Sequence, residues 1–113
     1  MFPPPVLGNS TVFLGDGDNG RVVRARVGDL VRVHLSGRRG DGVIWAWGSP
    51  MTSSGVLRMV NGGPSRNGDS DALFRVVRPG RDSLSDSSQC VVRAPGRRCP
   101  MIAQQWMVTV LAR

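Results

Sequence analysis

The apolar positions of this chain recur every second residue far more often than every third or fourth. In "RVVRARVGDLVRVHL", residues 21–35, Val23, Ala25 and Val27 alternate with Arg24 and Arg26. After Gly28-Asp29 the alternation resumes, with Val31, Val33 and Leu35 against Arg32 and His34. Alternation of this kind sends successive side chains to opposite faces of an extended chain, so it predicts two strands, each with one wet face. "TVFL" (11–14), "VIWAW" (43–47), "VLRMV" (56–60) and "ALFRVVR" (72–78), which stops at Pro79-Gly80, read as further strands. A short piece around Leu84, a strand at "QCVVR" (89–93) and the closing "QWMVTVLA" (105–112) complete the series. In the closing strand Trp106, Val108 and Val110 share the face expected to be core, and Trp45 and Trp47 are expected to be core as well. About seven to eight strands, with turn signals every 8–12 residues or so, predict an all-β immunoglobulin-like sandwich. "GSPMTSS" (48–54) and "NGGPSRNGDSD" (61–71) hold almost no apolar residues and read as exposed loops.

Composition agrees with this picture. Lys and Glu are absent, Val is abundant, and 15 Gly and 8 Pro punctuate the chain. Strong helix formers are therefore scarce while residues that suit a pleated, half-buried surface are common. The 113 residues suffice for one hydrophobic core. The expected organisation is a flexible Pro-rich lead over residues 1–10 and a single, monomeric domain over residues 11–113. No apolar run approaches the ~18 residues of a membrane span. The opening "MFPPPVLGNS" also lacks the basic and apolar sections of a signal peptide.

All 15 basic residues are Arg and all eight acids are Asp, for a net charge of +7. That balance favours encounter with acidic surfaces or polyanions without identifying one. Nucleic acid is not the expected partner, since no recognition helix, aromatic RNA-binding motif or zinc spacing accompanies the charge. Arg24, Arg26, Arg32 and His34 form one cationic stripe if their strands share a sheet. They divide between two surfaces if the chain changes sheets at Gly28-Asp29.

"GDGDNG" (15–20) matches G-x-G-x-x-G, but residues 21–27 alternate like a strand, and a dinucleotide site needs a helix there. A hairpin turn on Asn19-Gly20 is the expectation instead. Calcium is not expected on Asp16 and Asp18 either, because Gly20 stands where a third ligand is needed and no Glu follows. Arg39-Gly40-Asp41 spells an adhesion tripeptide that composition alone accounts for. His34 points away from the face that Val33 and Leu35 bury, and no Glu exists to pair with an Asp as acid and base, so no catalytic set is expected. No cofactor or metal is implied.

Cys90 and Cys99 flank "VVRAPGRR", whose Pro95-Gly96 is a turn signal that brings the ends together. A disulfide is the expected pairing, with two free buried thiols as the alternative. Closing so short a loop stabilises a fold by about 2–3 kcal/mol in the chain-entropy model, and it persists only in an oxidising compartment. That pairing implies a secreted or envelope-associated protein.

Taken in order, Gly28 before a strand, Gly42 three residues ahead of Trp45, Phe74, and Pro79-Gly80 ahead of Leu84 resemble the chagasin-like inhibitors of papain-type cysteine peptidases over residues 20–112. The resemblance implies an immunoglobulin-like sandwich that offers three loops at one end to the peptidase's active-site cleft. The family's first loop reads Asn-Pro-Thr-Thr-Gly. Here Arg38, Arg39, Gly40, Asp41 and Gly42 stand in those places, and only the Gly agrees. Asn67 and Gly68 correspond to the Gly-rich second loop. The third loop, Arg-Pro-Trp in the family, is replaced by the Cys-bounded segment with Arg93, Pro95 and no Trp. The resemblance thus implies a non-catalytic protein-binding domain, with a papain-like peptidase as partner and these loops as its contact surface. The alternative function is a structural or polyanion-associated module acting through Arg24, Arg26 and Arg32.

Overall fold

A computed structural model describes residues 7–100 and 103–113. Ten strands run through it: β1 (Thr11–Leu14), β2 (Val22–Ala25), β3 (Leu30–Leu35), β4 (Arg38–Gly40), β5 (Val43–Trp47), β6 (Met51–Thr52), β7 (Leu57–Pro64), β8 (Ser70–Val76), β9 (Gly80–Val92) and β10 (Gln104–Ala112). They form two sheets, one in the order β1-β3-β8-β7 and one in the order β2-β10-β9-β5-β4, with β6 added against β9. Both sheets are mixed, since β1 runs parallel to β3 and β2 parallel to β10, while the other pairs are antiparallel. This is the immunoglobulin-like sandwich that the alternation predicts.

The core consists of the inward sets of both sheets. Val31, Val33 and Leu35 of β3 and Ala72, Phe74 and Val76 of β8 meet Leu84 of β9 and Trp106, Val108 and Val110 of β10. All are almost fully buried, while Arg32 and His34 stand exposed between their apolar neighbours. Burial of a Leu or Phe side chain contributes about 1.5–3 kcal/mol, so this interdigitated set is the main stabilising term.

Four expectations need correction. Asn19-Gly20 does not close a hairpin: β1 and β2 lie in different sheets, and the chain crosses between them through a single 3-10 turn at Asp16–Asp18. The Asn19 side chain accepts from the Met107 N–H at 2.9 Å, and the Gly20 N–H donates to the Met107 carbonyl at 2.7 Å, which ties the crossing to β10. Leu84 and "QCVVR" are not separate pieces but parts of one strand, β9, that runs from Gly80 to Val92. The segment 61–71 is not wholly loop, because β7 extends to Pro64 and β8 begins at Ser70. Likewise "GSPMTSS" contributes the two-residue strand β6, paired with Ser85 and Leu84.

Of the expected lead, residues 1–6 lie outside the described residues. Gly8 and Ser10 are tied to the β2-β3 connection, where the Gly8 N–H donates to the Val27 carbonyl at 2.7 Å and the Ser10 N–H to Asp29 at 3.1 Å.

Candidate functional site

The segment expected to be the first loop is a β-hairpin. Arg38, Arg39 and Gly40 form β4, which pairs with β5 so that Gly40 faces Val43 across a two-residue turn, Asp41-Gly42. Both turn residues have positive φ, 50° and 77°, as a type I′ turn requires. Its twist matches that of the flanking strands, so the hairpin projects as a stiff extension of its sheet.

The second and third segments come together on that hairpin. At its base, the buried Gly68 lies so close that a side chain there would meet Ile44 and the Trp45 backbone. Its carbonyl accepts from the Trp47 N–H at 2.9 Å, and Asp69 accepts from the Gly37 N–H at 2.7 Å. Asn67 closes the turn locally by accepting from the Asp69 N–H at 3.0 Å, and its amide group is exposed. At the tip, the Gly42 carbonyl accepts from the N–H groups of Arg93 (2.7 Å) and Ala94 (3.1 Å). A Cβ on Gly42 would stand 2.7 Å from the Ala94 Cβ and 2.9 Å from the Arg97 Cγ, so only Gly lets the third segment settle there. Pro95 is exposed beyond that contact. The structure thus gathers Arg38, Arg39, Gly40, Asp41, Gly42, Asn67, Gly68, Arg93 and Pro95 at one end of the sandwich.

Cys90 and Cys99 form a disulfide, with Cα atoms 5.6 Å apart. The direction of the cross-link is set by the pleat. Asp82, Leu84, Asp86 and Ser88 are the inward residues of β9, and Cys90 continues that row. The bridge therefore draws the segment 91–99 over the inward side of the sheet.

Sequence reasoning missed what this creates. Trp45, expected in the core, faces inward beside Trp47 but is only half-buried, because β5 reaches past the region covered by the opposite sheet. Trp45 and Val43 instead line a groove of about 520 Å³ with Arg38, Arg39, Arg97 and Arg98. Repeated Arg near a disulfide loop was the available signal. Trp47, by contrast, is buried and donates its indole N–H to the Ser36 carbonyl at 2.9 Å. A second cleft of about 360 Å³ lies beside it, lined by Arg38, Gln104, Gln105 and Trp106 among others.

The cationic stripe does not exist as one surface. Arg24 and Arg26 flank the end of β2 in one sheet, and Arg32 and His34 lie on β3 in the other. Arg32 is paired with Asp71 at 3.2 Å, and His34 lies 3.6 Å from Asp71 and 3.8 Å from Asp69, all partly exposed. The chain does change sheets at Gly28-Asp29. Asp29 holds that turn by accepting from the Arg26 N–H at 2.8 Å.

Two buried carboxylates of β9 frame the scaffold. Asp82 accepts from the N–H groups of Ser53 (2.8 Å), Ser54 (3.0 Å) and Leu57 (3.0 Å). Burial opposes its charge, yet these donors together hold the carboxyl below the usual carboxylate range. Asp86, nearer the loop end, accepts from Gly48 at 3.0 Å and Ser87 at 2.7 Å with one oxygen, and its other oxygen has no partner among the described residues. Burial there outweighs the amide donors and pushes the Asp86 carboxyl up.

No protein-family model matches the chain, and no curated protein sequence does. Solved structures share its fold. The cysteine protease inhibitor EhICP2 from Entamoeba histolytica superposes with a TM-score of 0.63 at 10% identity, over 92% of this chain and 96% of that one. Amebosin gives 0.55 at 14% identity, over 94% and 100%. An inclusion body protein from Burkholderia cenocepacia gives 0.52 at 14%, over 81% of this chain and 59% of its own. The sandwich is chagasin-like in architecture.

Proposed function

We propose that this protein is a non-catalytic binding domain of an oxidising compartment, secreted or cell-envelope, whose loop end occupies the active-site cleft of a papain-type cysteine peptidase. One observation carries the reading: the hairpin at 38–47, the Gly68 turn and the disulfide loop meet at one end of a sandwich shared with a cysteine protease inhibitor. Rigidity makes such an end effective, since loops already held in place lose little conformational freedom on binding. In this role Asp41 and Gly42 form the leading wedge, with Asn67 and Gly68 on one flank and Arg93 and Pro95 on the other. No residue of the end is asked to react. The alternative, a polyanion module acting through Arg24, Arg26 and Arg32, lacks the common surface it needs, because those residues divide between two sheets.

The test is residual activity of several papain-type peptidases titrated with the oxidised, purified domain. Dose-dependent inhibition at micromolar concentration or below is expected for at least one. Full activity across the set at that concentration would contradict the proposal.

A further inference from the structure

The groove beside the hairpin has a chemistry of its own. Arg38, Arg39, Arg93, Arg97 and Arg98 all lie within the hairpin and the disulfide loop, and Asp41 is the single acid of those two segments. None of the five forms an ion pair among the described residues, whereas Arg21 and Arg32 do. Their side chains are exposed, so the guanidinium groups keep all their donors for a partner. Arg38, Arg97 and Arg98 line one groove with Trp45, whereas Arg39, paired with Ile44, turns its side chain to the other face of the hairpin. Arg38 stands directly across from Trp45 on the same face of the sheet. Among the described residues the outer edge of β4 carries no further strand, which leaves one wall of the groove open to an extended chain.

We infer that this groove binds an acidic, extended peptide segment of the partner, with carboxylates on Arg38, Arg97 and Arg98 and an apolar side chain on Trp45. The inference rests on the reading that the loop end meets a protein, and it specifies which proteins: those presenting Asp or Glu beside the cleft. Guanidinium groups suit this task because each can hold a carboxylate through two parallel hydrogen bonds, and an aromatic floor adds contact that a free ion would not use. A patch of simple positive charge would not make that distinction. The opposite end of the sandwich is such a patch, with Arg24, Arg26 and Arg113 around a recess that has no aromatic side chain among the described residues.

The experiment uses a fluorescein-labelled peptide, Asp-Asp-Leu-Asp-Asp, followed by fluorescence anisotropy with the oxidised protein at physiological ionic strength. Arg97→Glu/Arg98→Glu is expected to weaken binding at least tenfold. Arg24→Glu/Arg26→Glu, an identical change of net charge at the other end, is expected to weaken it less than twofold. Equal weakening by both pairs, or no binding of the peptide to the unaltered protein, would overturn the inference. So would a sulfated oligosaccharide that binds through the same arginines more tightly than the peptide, because the occupant would then be an acidic polysaccharide. Peptidase inhibition is read separately on the same proteins. Peptide binding with the stated arginine dependence but no inhibition of any peptidase removes the peptidase reading and supports the groove; inhibition without peptide binding does the reverse.

Discussion

Asp82 and Asp86 lie on the same face of the same strand, and their surroundings act on them in opposite directions. Three backbone N–H groups from the β6-β7 turn converge on Asp82, and its charge is the anchor of that turn. Asp86 has only two such donors on one oxygen, while its second oxygen and the hydroxyls of Ser70 and Ser88 are buried without partners among the described residues. The contrast extends to the two ends of the sandwich. The Asp82 end is pinned by carboxylates that collect backbone donors, Asp29 doing the same for the β2-β3 turn. The loop end is held mainly by backbone carbonyls at Gly42 and Gly68 and by a disulfide, with one carboxylate, Asp69, on the Gly37 N–H, and it leaves cations and an indole free to meet something else. Carboxylates organise the turns of one end; at the other, guanidinium groups and an indole share one groove.

Substitution of Asp82 should break the comparison most forcefully. Asp82→Ala strands the buried Leu57 N–H and two partly buried ones and removes the charge they share, so it should lower stability by about 3 kcal/mol in chemical denaturation. A loss under 1 kcal/mol would show that the turn does not depend on its carboxylate. Next in size is reduction of Cys90–Cys99. It should cost about 2–3 kcal/mol and weaken inhibition by releasing the segment 91–99 from the hairpin, measured by unfolding and by enzyme titration with and without reductant. Unchanged inhibition after complete reduction would remove the disulfide loop from the contact surface.

The smallest effect is also the one that sharpens the contrast. Asp86 has a folded-state pKa above its unfolded value, so its contribution is fully present below the unfolded pKa and is lost as pH rises through the folded one. Asp82 is the reverse: its contribution is present above the unfolded pKa and is lost as pH falls through the lower folded value. Asp86→Asn keeps an acceptor for Gly48 and Ser87 and turns a donor toward the neighbouring Ser70 hydroxyl. It should therefore raise stability by about 1 kcal/mol at pH 7, and the gain should shrink as pH falls toward 4. A gain that grew on acidification would reverse the assignment.

The same polar inward positions explain why part of the fold was hidden in the sequence. Val31, Val33 and Leu35, and Trp106, Val108 and Val110, announce their strands because every inward position is apolar. β9 spends its inward positions on Asp82, Asp86 and Ser88, so its continuity cannot be seen from hydropathy and only Leu84 marks it. β4 has no apolar residue at all. Its signal is the Asp41-Gly42 dipeptide immediately before "VIWAW", the same kind of signal as Asn19-Gly20; the two differ only in what tertiary structure does with them. At the loop end, Gly42 and Gly68 were placed in the first and second loops by the family resemblance. The groove was not legible, because it depends on where the disulfide draws Arg97 and Arg98, and on Trp45 running out beyond the opposite sheet.

Hydrogen exchange on the oxidised domain, alone and bound to a papain-type peptidase, tests the division between the two ends most directly. Backbone amides of residues 37–47, 65–69 and 93–99 should exchange more slowly in the complex, while those of 26–29 and 53–57 keep their rates. Protection confined to 26–29 and 53–57, or none at either end at saturating peptidase, would contradict the assignment of the loop end as the binding surface.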